Sequence, residues 1–159
     1  MAKAADLIGY VGVILGGNFI LSAVAIEETI VCVIPKYTID KLIESDSLFS
    51  LKSLKMIATS LNLSQESILN MAQKSAKERI ALTLLMLLDT YGVHSITGTI
   101  NSNLTREDVA NIAGTATESC IRILSEFHND GLIRVIGKSI KIVNMAKLLI
   151  VGNSDKPNP

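Results

Sequence analysis

The feature that most restricts the fold is the glycine punctuation near the C-terminus. Gly114, Gly131 and Gly137 cut residues 104–143 into short segments, each carrying its own apolar pattern. Leu104-Thr105-Arg106-Glu107-Asp108 offers a threonine N-cap with acidic residues in the first turn, and Val109, Ile112 and Ala113 then form the buried side of a short helix ending at Gly114. Thr115 or Thr117 is expected to cap a second helix over about 115–129. Its apolar residues Cys120, Ile121, Ile123, Leu124 and Phe127 would leave Thr117, Glu118 and Arg122 on another face. Gly131 stops that helix, and residues 132–136 and 139–143 alternate or run apolar around Gly137-Lys138, as a hairpin does. Two short helices around a glycine turn, followed by a hairpin, make a helix-turn-helix with a wing.

Upstream the pattern is different. Residues 7–26 contain no charged side chain and match the roughly 20 residues of a membrane-spanning helix. With Lys3 before them and Ala23-Val24-Ala25 near their end, they also resemble an export signal. Against both readings, Gly9, Gly12, Gly16, Gly17 and Asn18 place a turn inside the apolar run. Residues 19–26 and 29–34, rich in β-branched side chains and separated by Glu27-Glu28, are expected as two buried strands. Pro35 closes this region, and residues 37–43 have the spacing of a short helix.

From Leu48 onward apolar residues recur at threes and fours and draw one stripe along a long helix. Leu54, Leu61 and Ile68 fall seven apart with Ile57, Ser64 and Met71 between them, the spacing of a coiled-coil-like dimer seam formed by Leu54, Ile57, Leu61, Ile68 and Met71. Residues 62–65 could instead cap a new helix and break the first. Residues 76–90 form another apolar helix with Gly92 past its end, and residues 93–103 read as a loop or short strand.

The C-terminal motifs, quoted in order, resemble the Crp/Fnr regulators: Leu104-Thr105-Arg106-Glu107-Asp108-Val109-Ala110, Gly114, Thr117-Glu118-Ser119, Arg122-Ile123-Leu124, Gly131-Leu132-Ile133 and Gly137-Lys138. Residues 73–81 resemble the end of that family's dimerisation helix and the start of its DNA-binding domain, and residues 30–36 the strand that enters the long helix region. The resemblance implies an α+β chain. Residues 1–47 would hold a partial β-roll remnant with a short helix, 48–75 a long dimerisation helix, and 76–159 a C-terminal winged helix-turn-helix. It further implies that residues 1–35 are the closing part of a cyclic-nucleotide-binding-like sensor truncated on its N-terminal side. The expected function is a cytoplasmic, non-enzymatic transcription regulator that binds double-stranded DNA as a homodimer, with RNA polymerase as a partner by family resemblance.

Fifteen basic and fifteen acidic side chains cancel, so DNA binding must rest on local residues. Arginine pairs bidentately with guanine and glutamate accepts from cytosine N4, and the resemblance places Glu118 and Arg122 where base edges are read, with Thr117 as a weaker third contact. An alternative joins Glu118 and Arg122 in a solvated i,i+4 salt bridge on a protein-association module or an inactive truncated regulator. Arg106, Thr115, Ser119, Lys138 and Lys141 are candidate phosphate contacts. Six basic against five acidic residues between 101 and 147 predict modest affinity unless two copies act together.

No cofactor is expected. Cyclic-nucleotide members carry a Gly-Glu pair and a later arginine before serine or threonine, whereas here Gly9 precedes Tyr10 and Leu21 precedes Ser22-Ala23. Cys32 and Cys120 are too few for an iron-sulfur cluster and too widely spaced for a metal pair, and both sit in apolar patterns as inert core thiols. His94 and His128 lack the companions of a catalytic or metal site, and His128 reads as a cation at a helix end. Apolar strands of an incomplete β-roll predict an oligomer in place of a stable monomer.

Overall fold

The computed structural model describes residues 6–25 and 28–153 and divides the chain into two compact units, residues 1–65 and 66–159. The predicted Lys3 flank, and the Ile26 and Glu27 ends of the predicted strand and turn, lie outside the described residues.

In the first unit α1 (Tyr10–Leu15) begins after Gly9 and ends on Gly16. Gly12 lets the Phe19 ring close over it: a Cβ at Gly12 would stand 2.7 Å from Phe19 Cδ1. The Tyr10 hydroxyl donates to Ser60 Oγ at 2.9 Å. Among the described residues, which cover 7–25 of the uncharged run, that run holds one short helix, and no helix is long and apolar enough to cross a membrane. The two strands expected at 19–26 and 29–34 do not form among the described residues. β-branched runs become strands only where a neighbouring ladder satisfies their N–H and C=O groups, and the described residues of the first unit supply none.

Pro35, extended at φ −64° and ψ 145°, starts α2 (Lys36–Ser45), as the spacing predicts. Lys36 pairs with Asp40 at 2.7 Å on its exposed face. Asp46 Oδ1 then accepts from the backbone N–H groups of Leu48 and Phe49 at 2.9 and 3.0 Å, which starts α3 (Ser47–Gln73). No break occurs at residues 62–65. The Ser64 hydroxyl donates back to the Ser60 carbonyl at 2.9 Å, so it is used inside the helix and does not cap a new one.

The second unit carries the core. Ser75 and Glu78 form a reciprocal capping box that starts α4 (Ala76–Tyr91). Ile80, Ala81, Leu84 and Leu87 of α4 are buried together with Val109, Ala110 and Ala113 of α5 (Arg106–Ala113) and Cys120, Ile123, Leu124 and Phe127 of α6 (Thr117–Asn129). Strands β1 (Ile133–Ile136) and β2 (Ser139–Ile142) pair antiparallel, with Ile133 opposite Ile142 and Ile136 opposite Ser139. That register leaves Gly137-Lys138 as a two-residue turn, and Gly137 has φ +58°, the left-handed conformation such hairpin turns need. Val93 bridges Ile100, and the Ile100 N–H donates to the Ile140 carbonyl at 2.8 Å, extending the edge of the hairpin. A last helix, α7 (Met145–Gly152), buries Leu148 and brings Gly152 against Leu82 of α4.

Candidate nucleic-acid interface

Thr105 and Asp108 form a second reciprocal capping box: Asp108 Oδ2 accepts from the Thr105 backbone N–H at 2.8 Å, and Thr105 Oγ1 accepts from the Asp108 N–H at 3.1 Å. Hydrogen bonds from Thr105 to the carboxylate hold the Asp108 pKa below its ordinary value. The helix closes on Gly114 at φ +63°. Arg79 of α4 fastens this turn, its Nε donating to the Ala113 carbonyl at 2.8 Å, Nη2 to the Gly114 carbonyl at 3.0 Å and Nη1 to the Lys74 carbonyl at 2.6 Å. The last carbonyls of a helix lack intrahelical partners, and a guanidinium fork can satisfy two of them together. Sequence reading missed Arg79, because its partners at Ala113 and Gly114 are distant in sequence.

The cap expected for α6 is different. Ala116 occupies the N-cap position, extended at φ −71° and ψ 147°, and no side chain caps it, so neither Thr115 nor Thr117 serves that role. Thr115, Thr117 and Ser119 are half-buried around this amino end, while Glu118 and Arg122 are exposed one turn apart. The i,i+4 pair is not Glu118 with Arg122. Arg122 Nη1 binds Glu126 Oε1 at 2.7 Å, and Glu126 Oε2 accepts from Lys77 Nζ at 3.3 Å. Ile121, assigned to the core by its place in the pattern, stands 48% exposed beside Arg122.

The wing is tied to the helix-turn-helix by Arg106, whose Nη2 donates to the Gly137 carbonyl at 3.2 Å. Burial lowers the Arg106 pKa, and the Cys120 thiol opposes that shift. Burial likewise pushes the Cys120 thiol up, the condition of an inert buried thiol. Cys32 is exposed, against its expected place in a core, because the strand that would have buried it does not form. His128 stands in the last turn of α6, and its Nδ1 accepts the Val135 backbone N–H at 3.3 Å, which joins α6 to β1.

Lys138 is exposed at the hairpin turn, and with Arg106 and Ser102 it lines one small recess. Lys141 lies half-buried over Gly98, where a Cβ would come within 3.1 Å of its Nζ. Arg134 sits directly opposite Lys141 across the hairpin. Like charges in that position repel, so a nearby anion would stabilise the pair. Arg134 was not singled out from sequence, and its signal is the register, which exists only once the strands pair.

Of the predicted seam residues, Leu54, Leu61, Ile68 and Met71 are exposed on the continuous α3 and Ile57 is half-buried. Met71 also reaches the helix-turn-helix, its Cε lying 3.4 Å from the Cβ position of Gly114. Among the described residues no group of three or more His, Cys, Asp or Glu side chains is arranged to hold a metal ion.

Capped helix, glycine turn, exposed second helix and two-stranded hairpin together define a winged helix-turn-helix protein. Residues 78–149 match the Crp-like helix-turn-helix domain family. The chain is 31% identical over 153 residues to electron transport regulator A of Shewanella oneidensis, covering 95% of this chain and 61% of that protein. It is 29% identical over 154 residues to the fumarate and nitrate reduction regulatory protein of Vibrio cholerae, covering 96% and 61%. FixK2 from Bradyrhizobium japonicum shares the fold with a TM-score of 0.69 at 23% identity, over 79% of this chain and 61% of that one. The chain thus carries a Crp-like helix-turn-helix domain over residues 78–149 and is similar to the Crp/Fnr regulators, and it spans about three fifths of the length of the curated relatives it matches.

Proposed function

We propose that this chain is a sequence-specific DNA-binding transcription regulator acting as a cytoplasmic dimer, with α6 in the major groove and RNA polymerase as its partner. The observation that carries the reading is the face of α6: Glu118 and Arg122 are exposed, one turn apart and not bonded to each other. Arg122 would exchange Glu126 for a guanine edge, and Glu118 would accept from cytosine N4. Thr117 would make the third base contact. Arg106, Thr115, Ser119, Lys138 and Lys141 would meet phosphates around α6 and the wing, adding affinity without sequence information. The uncapped amino end of α6 suits a phosphate in the same way.

In this reading residues 76–159 bind DNA, and residues 48–75 join two copies through Leu54, Ile57, Leu61, Ile68 and Met71. Residues 1–47 are what the chain holds of the sensor domain. They would take no cyclic nucleotide, since residues 1–35 offer no arginine for a phosphate and Gly9 is followed directly by Tyr10 and not by an acid.

The test is selection from random duplex DNA with wild type and Arg122→Ala at two salt concentrations. A two-fold-symmetric motif with half-sites about one helical turn apart, lost in the variant, is the expected result. Equal weak binding by both proteins, with no enriched motif, would overturn the proposal.

A further inference from the structure

Three charged side chains meet where α4 lies against α6. Glu126 divides its carboxylate between two cations: Oε1 accepts from Arg122 Nη1 at 2.7 Å, and Oε2 accepts from Lys77 Nζ of α4 at 3.3 Å. Lys77 has a second hold. Its ammonium stands 5.7 Å from the centroid of the fully buried Phe127 ring, and attraction to the ring face keeps the cation there whether or not the carboxylate is shared. Arg122 is placed differently: its side chain is 68% exposed, and among the described residues Glu126 is the carboxylate that binds it. One anion therefore bridges an anchored cation and an exposed one.

We infer that Glu126 and Lys77 are positioning residues that act through Arg122: Glu126 withholds the guanidinium from DNA phosphates at wrong sequences, and Lys77 retains the carboxylate when the correct sequence takes the arginine. The inference rests on the DNA-binding reading above and deepens it, because two residues that read no base reject unmatched duplexes. Specificity is a difference of affinities, and lowering the affinity for the wrong partner serves it as well as raising the other. While paired, Arg122 and Glu126 are together neutral, so the general attraction to phosphates gains no released counterion from this arginine. A guanine offers O6 and N7 side by side, and an exposed ion pair is weak enough for that bidentate site to displace. Displacement would leave Glu126 as an unpaired anion beside the DNA backbone. Lys77, already in place over Phe127, keeps it neutralised.

The experiment uses the full chain, the duplex enriched by selection and a scrambled duplex of the same composition, with affinity read by fluorescence anisotropy at several salt concentrations. Glu126→Gln keeps the shape and removes the charge. It should bind the scrambled duplex about three-fold more tightly and steepen the fall of log affinity with log salt by about one for each chain, since Arg122 then meets a phosphate. Lys77→Gln should weaken binding to the selected duplex about three-fold on its own and have no effect when combined with Glu126→Gln. A merely structural contact would move neither the salt dependence nor this coupling, and circular dichroism checks that each variant folds. A motif that depends on Arg122, with Glu126→Gln leaving the scrambled-duplex affinity and its salt dependence unchanged, overturns this inference and leaves the DNA-binding reading standing. Equal weakening by Lys77→Gln in both backgrounds does the same, because Lys77 would then touch phosphate directly. Absence of any enriched motif removes both.

Discussion

Ile80, Ile123, Ile133 and Ile140 in residues 66–159 are between 0% and 6% exposed, whereas Ile20, Ile30 and Ile34 in residues 1–65 are 93%, 99% and 43% exposed. The residue type is the same and its surroundings differ. In the second unit the capped helices α4 and α5, with α6 and the hairpin, bury one apolar core that includes Phe127. In the first unit α2 and α3 present stripes, and the runs around α1 present β-branched residues, but no second layer covers them, and none of its described residues is buried. An apolar pattern specifies which face wants cover and supplies the cover only when the chain returns over it.

That contrast can be broken most sharply by truncation. Phe127→Ala, at a fully buried ring, is expected to cost about 3–5 kcal/mol, while Ile20→Ala should change stability by less than about 0.5 kcal/mol. Urea unfolding of the full chain checks both, and a large loss for Ile20→Ala would mean that another chain covers the first unit. Next in size, Leu54→Glu combined with Leu61→Glu should convert the proposed dimer to monomers and weaken DNA binding by roughly a hundred-fold, as linked half-sites become independent. Light scattering beside anisotropy reads this, and a monodisperse wild-type monomer would end the idea that α3 is a seam.

Within the well-covered unit, Gly137→Ala forces a side chain into φ +58° and should cost about 1–2 kcal/mol by thermal melting, although open space surrounds the position. Equal stability would show that the turn relaxes freely. Smallest is Thr105→Ala, about 1 kcal/mol from loss of the cap. It carries a pH signature. The Asp108 pKa is depressed in the folded chain, so its contribution is present above the ordinary carboxylate value of about 4 and disappears as pH falls through the lower folded value. Wild type should therefore lose stability on acidification across that window, and Thr105→Ala should flatten the loss.

Much of the site was legible because its signals are local. Thr105 with Asp108 and Gly114, Gly131 and Gly137 bound their elements within a few residues, so α5, α6, β1 and β2 could be placed from the chain alone. What escaped depends on distant residues: Arg79 meeting Ala113 and Gly114, Glu126 pairing with Lys77, and Arg134 opposite Lys141. α7 was not anticipated from sequence either, since its apolar residues find their purpose only against α4.

By itself the sequence determined the order of the C-terminal elements and the long α3 stripe, because periodicity, caps and glycine conformations act over one or two turns. Tertiary structure alone decided that residues 19–25 and 28–34 form no strands, that Glu126 holds Arg122, and that Ile121 turns away from the core. Each outcome depends on which surfaces meet, and a linear pattern names a face without naming what lies against it.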